Sequence, residues 1–299
     1  MTSLRAKILI QAIKRGGLLS TVIDSDNLDK KRKQFKKLEK IFPVPLWAKV
    51  RGVQDNDFKG EWVTAPNSQD DTVLLYIHGG GFVFDGTKLY RGLIARLARA
   101  TNSKVLSINY SLAPEHPYPT ALNEATAAYK WLLSQGYDAS KISIGGDSAG
   151  GTLALSLLHI IKRQNLDMPA CAFVMSPATD ATLKDFSVEN KDKDFYINFE
   201  SLKFFIKAYF GNTSTSDPIA SPLLGSLEGL PPLLIHVDKK EIMYKDSLRF
   251  AEKARKSGVE VELYESNDLF HVWHIFAGYI PEAKKSIDEI GKFVKAHII

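Results

Sequence analysis

Cysteine is almost absent: Cys171 is the single one in 299 residues. No intrachain disulfide can form, and its apolar setting, Cys171-Ala172-Phe173-Val174-Met175, reads as an inert buried thiol in a reducing compartment. Long hydrophobic runs are lacking too. Stretches such as Leu74-Leu75-Tyr76-Ile77 and Leu233-Leu234-Ile235 fall far short of the roughly 18 residues of a spanning helix, so no stable membrane insertion is expected. Arg5, Lys7, Lys14 and Arg15 interrupt the N-terminal segment, and it has no small-residue cleavage site. It does not read as a secretory signal, and the expected location is cytoplasmic. A large excess of one charge is also missing, since 39 basic residues face 34 acidic ones. That balance argues against a nucleic-acid partner. The densest cluster, Lys30 to Lys40 with seven basic residues in eleven, reads as a solvated helix face. There is no internal repeat and no low-complexity linker.

What is present is an ordinary globular composition, 44% hydrophobic and 24% charged, which excludes disordered and fibrous classes. From residue 72 onward short β-branched runs alternate with longer helical patterns, the rhythm of an α/β protein with a mainly parallel sheet. Strands are expected at Thr72 to Ile77, Lys104 to Asn109, Lys141 to Ile144, Ala172 to Met175, Pro232 to Val237 and Val259 to Tyr264. Helices are expected at Lys88 to Ala100, Thr120 to Leu133, Gly151 to Lys162, Ser247 to Lys256 and Pro281 to Ala296. Two stretches break the rhythm. Residues 1–45 read as helices without strands, and residues from about 180 to 215 are rich in charge and in aromatics such as Phe199, Phe204, Phe205 and Phe210. We read them as N-terminal cap helices and a cap insertion on an α/β domain spanning 46–299, because insertions after strand ends sit where such proteins bind ligands.

The sharpest motif is Gly145-Gly146-Asp147-Ser148-Ala149-Gly150-Gly151, a G-x-S-x-G sequence between an expected strand and an expected helix. In that context it is a nucleophile elbow: a strained turn lifts the serine hydroxyl out of the sheet, and the glycines avoid collisions that a Cβ would cause. A phosphate-binding loop would need a lysine that the stretch lacks. After the strand ending at Ile77 comes His78-Gly79-Gly80-Gly81-Phe82, whose bare amides suit a developing oxyanion. Gly79 and Gly80, with the amide of Ala149, are the expected donors. For a base, His271 follows the last expected strand and suits the chain order serine, acid, histidine. His274 is the alternative. Phe82, Phe84 and the cap aromatics suggest an apolar pocket, with Phe82 and Asp147 as candidate substrate-binding residues.

Together with Gly60-Glu61-Trp62-Val63, Asn109-Tyr110-Ser111-Leu112-Ala113-Pro114-Glu115-His116-Pro117 and Ser221-Pro222-Leu223-Leu224, these motifs resemble the hormone-sensitive-lipase-like bacterial esterases of the α/β-hydrolase superfamily. The resemblance covers most of the chain. It implies an α/β-hydrolase fold with eight mostly parallel strands and a helical cap. It also implies hydrolysis of small carboxylic esters without a cofactor or metal. The partner implied is a small ester, with a second copy in a homodimer as another candidate. Two positions depart from the family pattern. Ser111 stands where the family usually has an arginine, which questions an ion pair near Glu115. In Val237-Asp238-Lys239-Lys240-Glu241-Ile242-Met243, ungapped comparison puts Lys240 at the position of the family's triad aspartate. A cation there would repel the imidazolium, and even a neutral replacement for that carboxylate costs a serine protease about 10⁴ in rate. Glu241 is the expected acid, with Asp238 and Asp268 as alternatives and a Ser–His dyad as a slower arrangement. A second reading from another class is a catalytically impaired protein that binds a small ester or carboxylate.

Overall fold

The computed structural model describes residues 2–16, 22–184, 190 and 193–298, so parts of the expected N-terminal cap and cap insertion lie outside the described residues. Eight strands, β1 (Lys49–Gln54), β2 (Lys59–Thr64), β3 (Gln69–Ile77), β4 (Ser103–Ile108), β5 (Ile142–Asp147), β6 (Cys171–Met175), β7 (Leu233–Asp238) and β8 (Val261–Ser266), form one sheet. Its order is β1-β2-β4-β3-β5-β6-β7-β8. β1 and β2 are antiparallel to their neighbours, and the others pair in parallel. The helices are α1 (Leu4–Gly16), α2 (Leu28–Lys37), α3 (Thr87–Thr101), α4 (Thr120–Ser134), α5 (Ser148–Arg163), α6 (Phe199–Phe210), α7 (Tyr244–Lys256) and α8 (Pro281–His297). None of the described helices is long and apolar enough to cross a membrane.

The central strands read as continuous apolar runs because both faces are covered. In β3, Val73, Leu75 and Ile77 point into one core while Leu74 and Tyr76 point into the other. Cys171 opens β6 with a fully buried thiol, and burial pushes its pKa up to about 12. β1 and β2 were not among the expected strands. β1 carries Lys49 and Arg51 at the sheet edge and has no buried residue, so it lacks the apolar signal of the interior and resembles a charge-protected edge. β5 runs three residues past its expected end, and α5 starts at Ser148 rather than Gly151. Glycine is a poor strand former, yet here nothing larger fits. A Cβ on Gly145 would lie 2.3 Å from the Phe173 ring, and one on Gly146 would lie 2.4 Å from the Gly150 carbonyl.

The N-terminal helices and α6 lie over the C-terminal ends of the strands. Phe82 stacks on Tyr209 of α6 with ring centroids 4.1 Å apart, and Phe35 of α2 stacks on Phe84 at 4.9 Å. The Ile23 amide donates to Ser201 Oγ of α6 at 2.8 Å. In the basic run, Lys30, Lys33, Lys36, Lys37 and Lys40 are exposed, but Arg32 turns inward. Its guanidinium donates to the carbonyls of Val83 and Ala113, at 2.8 and 2.7 Å, and to both oxygens of Glu115. That pair holds the Glu115 carboxyl down at about 2. The ion pair questioned by Ser111 is thus made from α2, and Ser111 instead donates its amide and hydroxyl to Glu124 at 2.6 Å.

A methyl group on Gly150 would meet the Ile77 carbonyl at 2.1 Å, whereas one on Gly52 meets nothing within 4 Å. Gly150→Ala is expected to lower stability by at least about 1–3 kcal/mol through overpacking. Gly52→Ala is expected to stay within about 0.5 kcal/mol of the parent. Urea unfolding midpoints check both.

Candidate active site

The end of β5 and the start of α5 place Ser148 with φ at +50°, a left-handed turn that costs a non-glycine residue about 1–3 kcal/mol and needs rigid surroundings. The close approach of Gly146 and Gly150 supplies that rigidity. Ser148 is half-buried and lines a cavity of about 90 Å³ together with Gly80, Gly81, Ala149 and His271. Ile23, Phe35, Phe84, Leu202 and Phe205 give it largely apolar walls. Phe82 also lines it, although its ring is held against Tyr209.

His271 is buried, and its Nδ1–H donates to Glu241 Oε2 at 2.8 Å. This bond leaves Nε2 as the bare nitrogen, and it makes no hydrogen bond to any described residue. Burial pulls the His271 pKa down, but the hydrogen bond and charge of Glu241, helped by Asp194 and Asp147, carry it above the ordinary histidine value. Burial pushes the Glu241 carboxyl up, with His271 opposing. The other Glu241 oxygen accepts from the Asp238 amide at 2.7 Å and from Ser176 Oγ at 2.9 Å. Ser176 Oγ also accepts from the Val272 amide at 3.3 Å, so it ties the acid loop to the histidine loop. Ser176 was not singled out from the sequence. Its only signal is its place after a strand end, since its φ of +51° is invisible there.

The alternative acids are otherwise engaged. Asp238 is fully buried and pins the turn, accepting from the amides of Lys240 and Leu269 at 2.9 and 2.7 Å and from Ser266 Oγ. Asp268 is about half exposed and pairs with the equally exposed Lys240 ammonium at 2.6 Å. Lys240 therefore points to the surface and away from the imidazole. His274 is fully buried, has Nε2 3.0 Å from His236 Nδ1 and does not line the cavity.

Two expectations need correction. Asp147 does not face the cavity; it is fully buried beneath the elbow and accepts from Tyr76 and Tyr90 hydroxyls at 2.7 Å each. Burial pushes its carboxyl up to about 6 against those bonds. Its third donor is the Gly79 amide at 3.0 Å, so the N–H assigned to an oxyanion is already taken. Gly79 does not line the cavity, and Gly81 does. Gly81 has φ of +59°, and a Cβ there would lie 2.7 Å from the Phe205 ring, so it must be glycine for reasons that three consecutive glycines do not reveal. His78 backs the loop, with Nδ1 2.7 Å from the Gly79 carbonyl and its ring stacked on Tyr110 at 4.4 Å. Among the described residues no group of His, Cys, Asp or Glu side chains is arranged to hold a metal.

Asp147→Ala would leave two tyrosine hydroxyls and one amide without an acceptor, at about 1–3 kcal/mol each. We expect a sharply lowered urea midpoint for Asp147→Ala and a milder loss for Asp147→Asn, which keeps one acceptor oxygen.

The sequence pattern of the alpha/beta hydrolase fold matches residues 74–275. An esterase of Acinetobacter venetianus is 36% identical over 256 residues, covering 85% of this chain and 84% of that protein. An acetyl-hydrolase of Streptomyces hygroscopicus is 35% identical over 236 residues, covering 79% of each. The crystal structure of an esterase from the bacterial hormone-sensitive lipase family superposes with a TM-score of 0.94 at 33% identity, covering 100% of both chains. The chain belongs to the hormone-sensitive-lipase-like esterases of the α/β-hydrolase superfamily, a family of carboxylic ester hydrolases.

Proposed function

We propose that the chain is a serine carboxylesterase that cleaves short to medium acyl esters through an acyl-enzyme on Ser148. The observation that carries this reading is the Glu241–His271 hydrogen bond, which leaves the other imidazole nitrogen bare in the cavity wall that also holds Ser148. Ser148 Oγ attacks the acyl carbon while His271 Nε2 takes its proton, and the carbonyl oxygen becomes an oxyanion. Gly80, Gly81 and Ala149 are the amides proposed to receive it. Ala149 is the second residue of α5, where helix N–H groups have no intrahelical partner. The bond to the alcohol oxygen then breaks as His271 returns the proton to it. Water, activated by the same nitrogen, releases the acid and restores the serine. Throughout, Glu241 holds the tautomer and balances the imidazolium.

The apolar walls and modest cavity suit a short acyl chain rather than a long one, in keeping with a relative named for acetyl hydrolysis. The competing reading, an impaired binding protein, rested on Lys240, and its ammonium is paired with Asp268 at the surface.

Steady-state hydrolysis of p-nitrophenyl acetate and butyrate tests the proposal. Ser148→Ala is expected to abolish turnover, and Glu241→Gln to lower kcat by about 10⁴, or roughly 5.4 kcal/mol. Lys240→Asp is expected to leave kcat nearly unchanged. Turnover that survives in Ser148→Ala overturns the mechanism. The pH dependence follows from His271, which must be neutral to accept a proton. Since its pKa is raised, kcat/KM is expected to fall with decreasing pH through an apparent value above the ordinary histidine range of about 6.5.

A further inference from the structure

The loop that carries Glu241 is held from two sides. On the inside, Asp238 and Ser266 hold it: the Lys240 and Lys239 amides donate to Asp238 Oδ1 and to the Ser266 carbonyl, at 2.9 and 3.0 Å. On the outside its backbone partners come from the segment that precedes α6. Asn190, which is buried, donates from Nδ2 to the carbonyls of Lys239 and Glu241 at 2.7 and 2.9 Å. Asp194 Oδ2 accepts from the Ile242 amide at 3.0 Å. Two side chains thus hold backbone groups before, at and after the carboxylate that meets His271.

The same segment forms part of the cavity wall. Asp194 Oδ1 accepts from the amides of Tyr196 and Ile197 at 2.8 and 3.0 Å, and Tyr196, Ile197 and Asn198 line the cavity. The Tyr196 ring stacks on Phe270 and lies 5.9 Å from the His271 ring. One carboxylate therefore bonds the turn that would touch the ester and the loop that presents the acid.

We propose that Asn190 and Asp194 are positioning residues: they clamp the 239–242 loop and so hold Glu241 where it meets His271. The inference rests on the esterase reading for its kinetic expression but not for its geometry. Glu241 follows a short turn after β7, and its carboxylate reaches Nδ1 only if that turn is fixed. A misplacement of about 1 Å at a reacting group can cost about 10²-fold in rate.

Asn190→Ala removes the two bonds to the loop without changing charge, and Asp194→Asn removes a charge along with one acceptor. Both are expected to lower kcat by about 10- to 100-fold with little change in KM. They differ in pH profile. His271 faces Glu241, Asp194 and Asp147, with His274 also nearby. Losing the Asp194 charge should move the acid limb of kcat/KM to lower pH, while Asn190→Ala should not move it by that route. The far-downfield proton resonance of His271 Nδ1–H should broaden or shift in both.

Near-UV circular dichroism and thermal melting identify folded variants. Folded variants with kcat within about twofold of the parent, and an unmoved Nδ1–H resonance, overturn the clamp. If Asp194→Asn does not fold, Asn190→Ala decides alone by kcat and resonance. If both fail to fold, a folded Asn190→Ser variant, in which a hydroxyl too short to bridge both carbonyls replaces the amide, is read the same way. A parent with no Ser148-dependent turnover would sink the esterase reading, and the resonance would still decide the clamp.

Discussion

The site depends on one close approach: α5 leaves β5 so tightly that its first turn lies against the carbonyls at the end of β3. A Cβ on Gly150 would sit 2.1 Å from one of those oxygens and 2.5 Å from the next, and one on Gly146 would strike Gly150 itself. With hydrogen at these positions the helix can begin at Ser148, which is forced to φ of +50°. Its side chain then leaves the sheet toward the cavity, and the Ala149 amide stands at an unsatisfied helix start. Strain at Ser148 persists because the packing around it leaves no alternative.

Asp147 extends that constraint to the glycine loop. The carboxylate sits at the last residue of β5 and gathers hydroxyls from Tyr76 of β3 and Tyr90 of α3 and the amide of Gly79. An anion buried without partners is costly, and here it has three. The loop and the elbow come from segments some seventy residues apart, and this carboxylate fixes their spacing. The acid side of the cavity is built in the same way, with Ser176 bridging Glu241 and Val272.

Much of this was legible in the sequence. The alternation of strands and helices from residue 72, the elbow around Ser148 and the loop carrying His271 all carry local signals: apolar runs, glycines at fixed offsets, chain order. What was not legible depended on backbone direction or on distant partners. β1 has no buried residue, and β2 mixes buried Gly60, Trp62 and Val63 with exposed or half-buried neighbours, so neither carries the continuous apolar run that marks the interior strands. Gly79 and Gly81 look alike as letters, and only the placement of Asp147 shows which amide is occupied. Asp147 itself lies beside the nucleophile in sequence yet beneath it in space. Lys240 raised the sharpest doubt because ungapped comparison assumes a fixed register, whereas the turn after β7 sends that side chain outward.

Glu241 shows how side-chain length and backbone register can trade against each other. Glutamate is longer than aspartate by one methylene, about 1.5 Å of reach along a C–C bond, and Glu241 uses that reach to meet His271 Nδ1 at 2.8 Å from the turn after β7. An aspartate at 241 on the same backbone would leave that bond short by about one C–C bond length. Acid identity and loop register are therefore coupled. A substitution that shortens the side chain works only with a compensating change in the turn, and a search pattern that demands aspartate at one column would discard a chain whose carboxylate arrives by the longer arm.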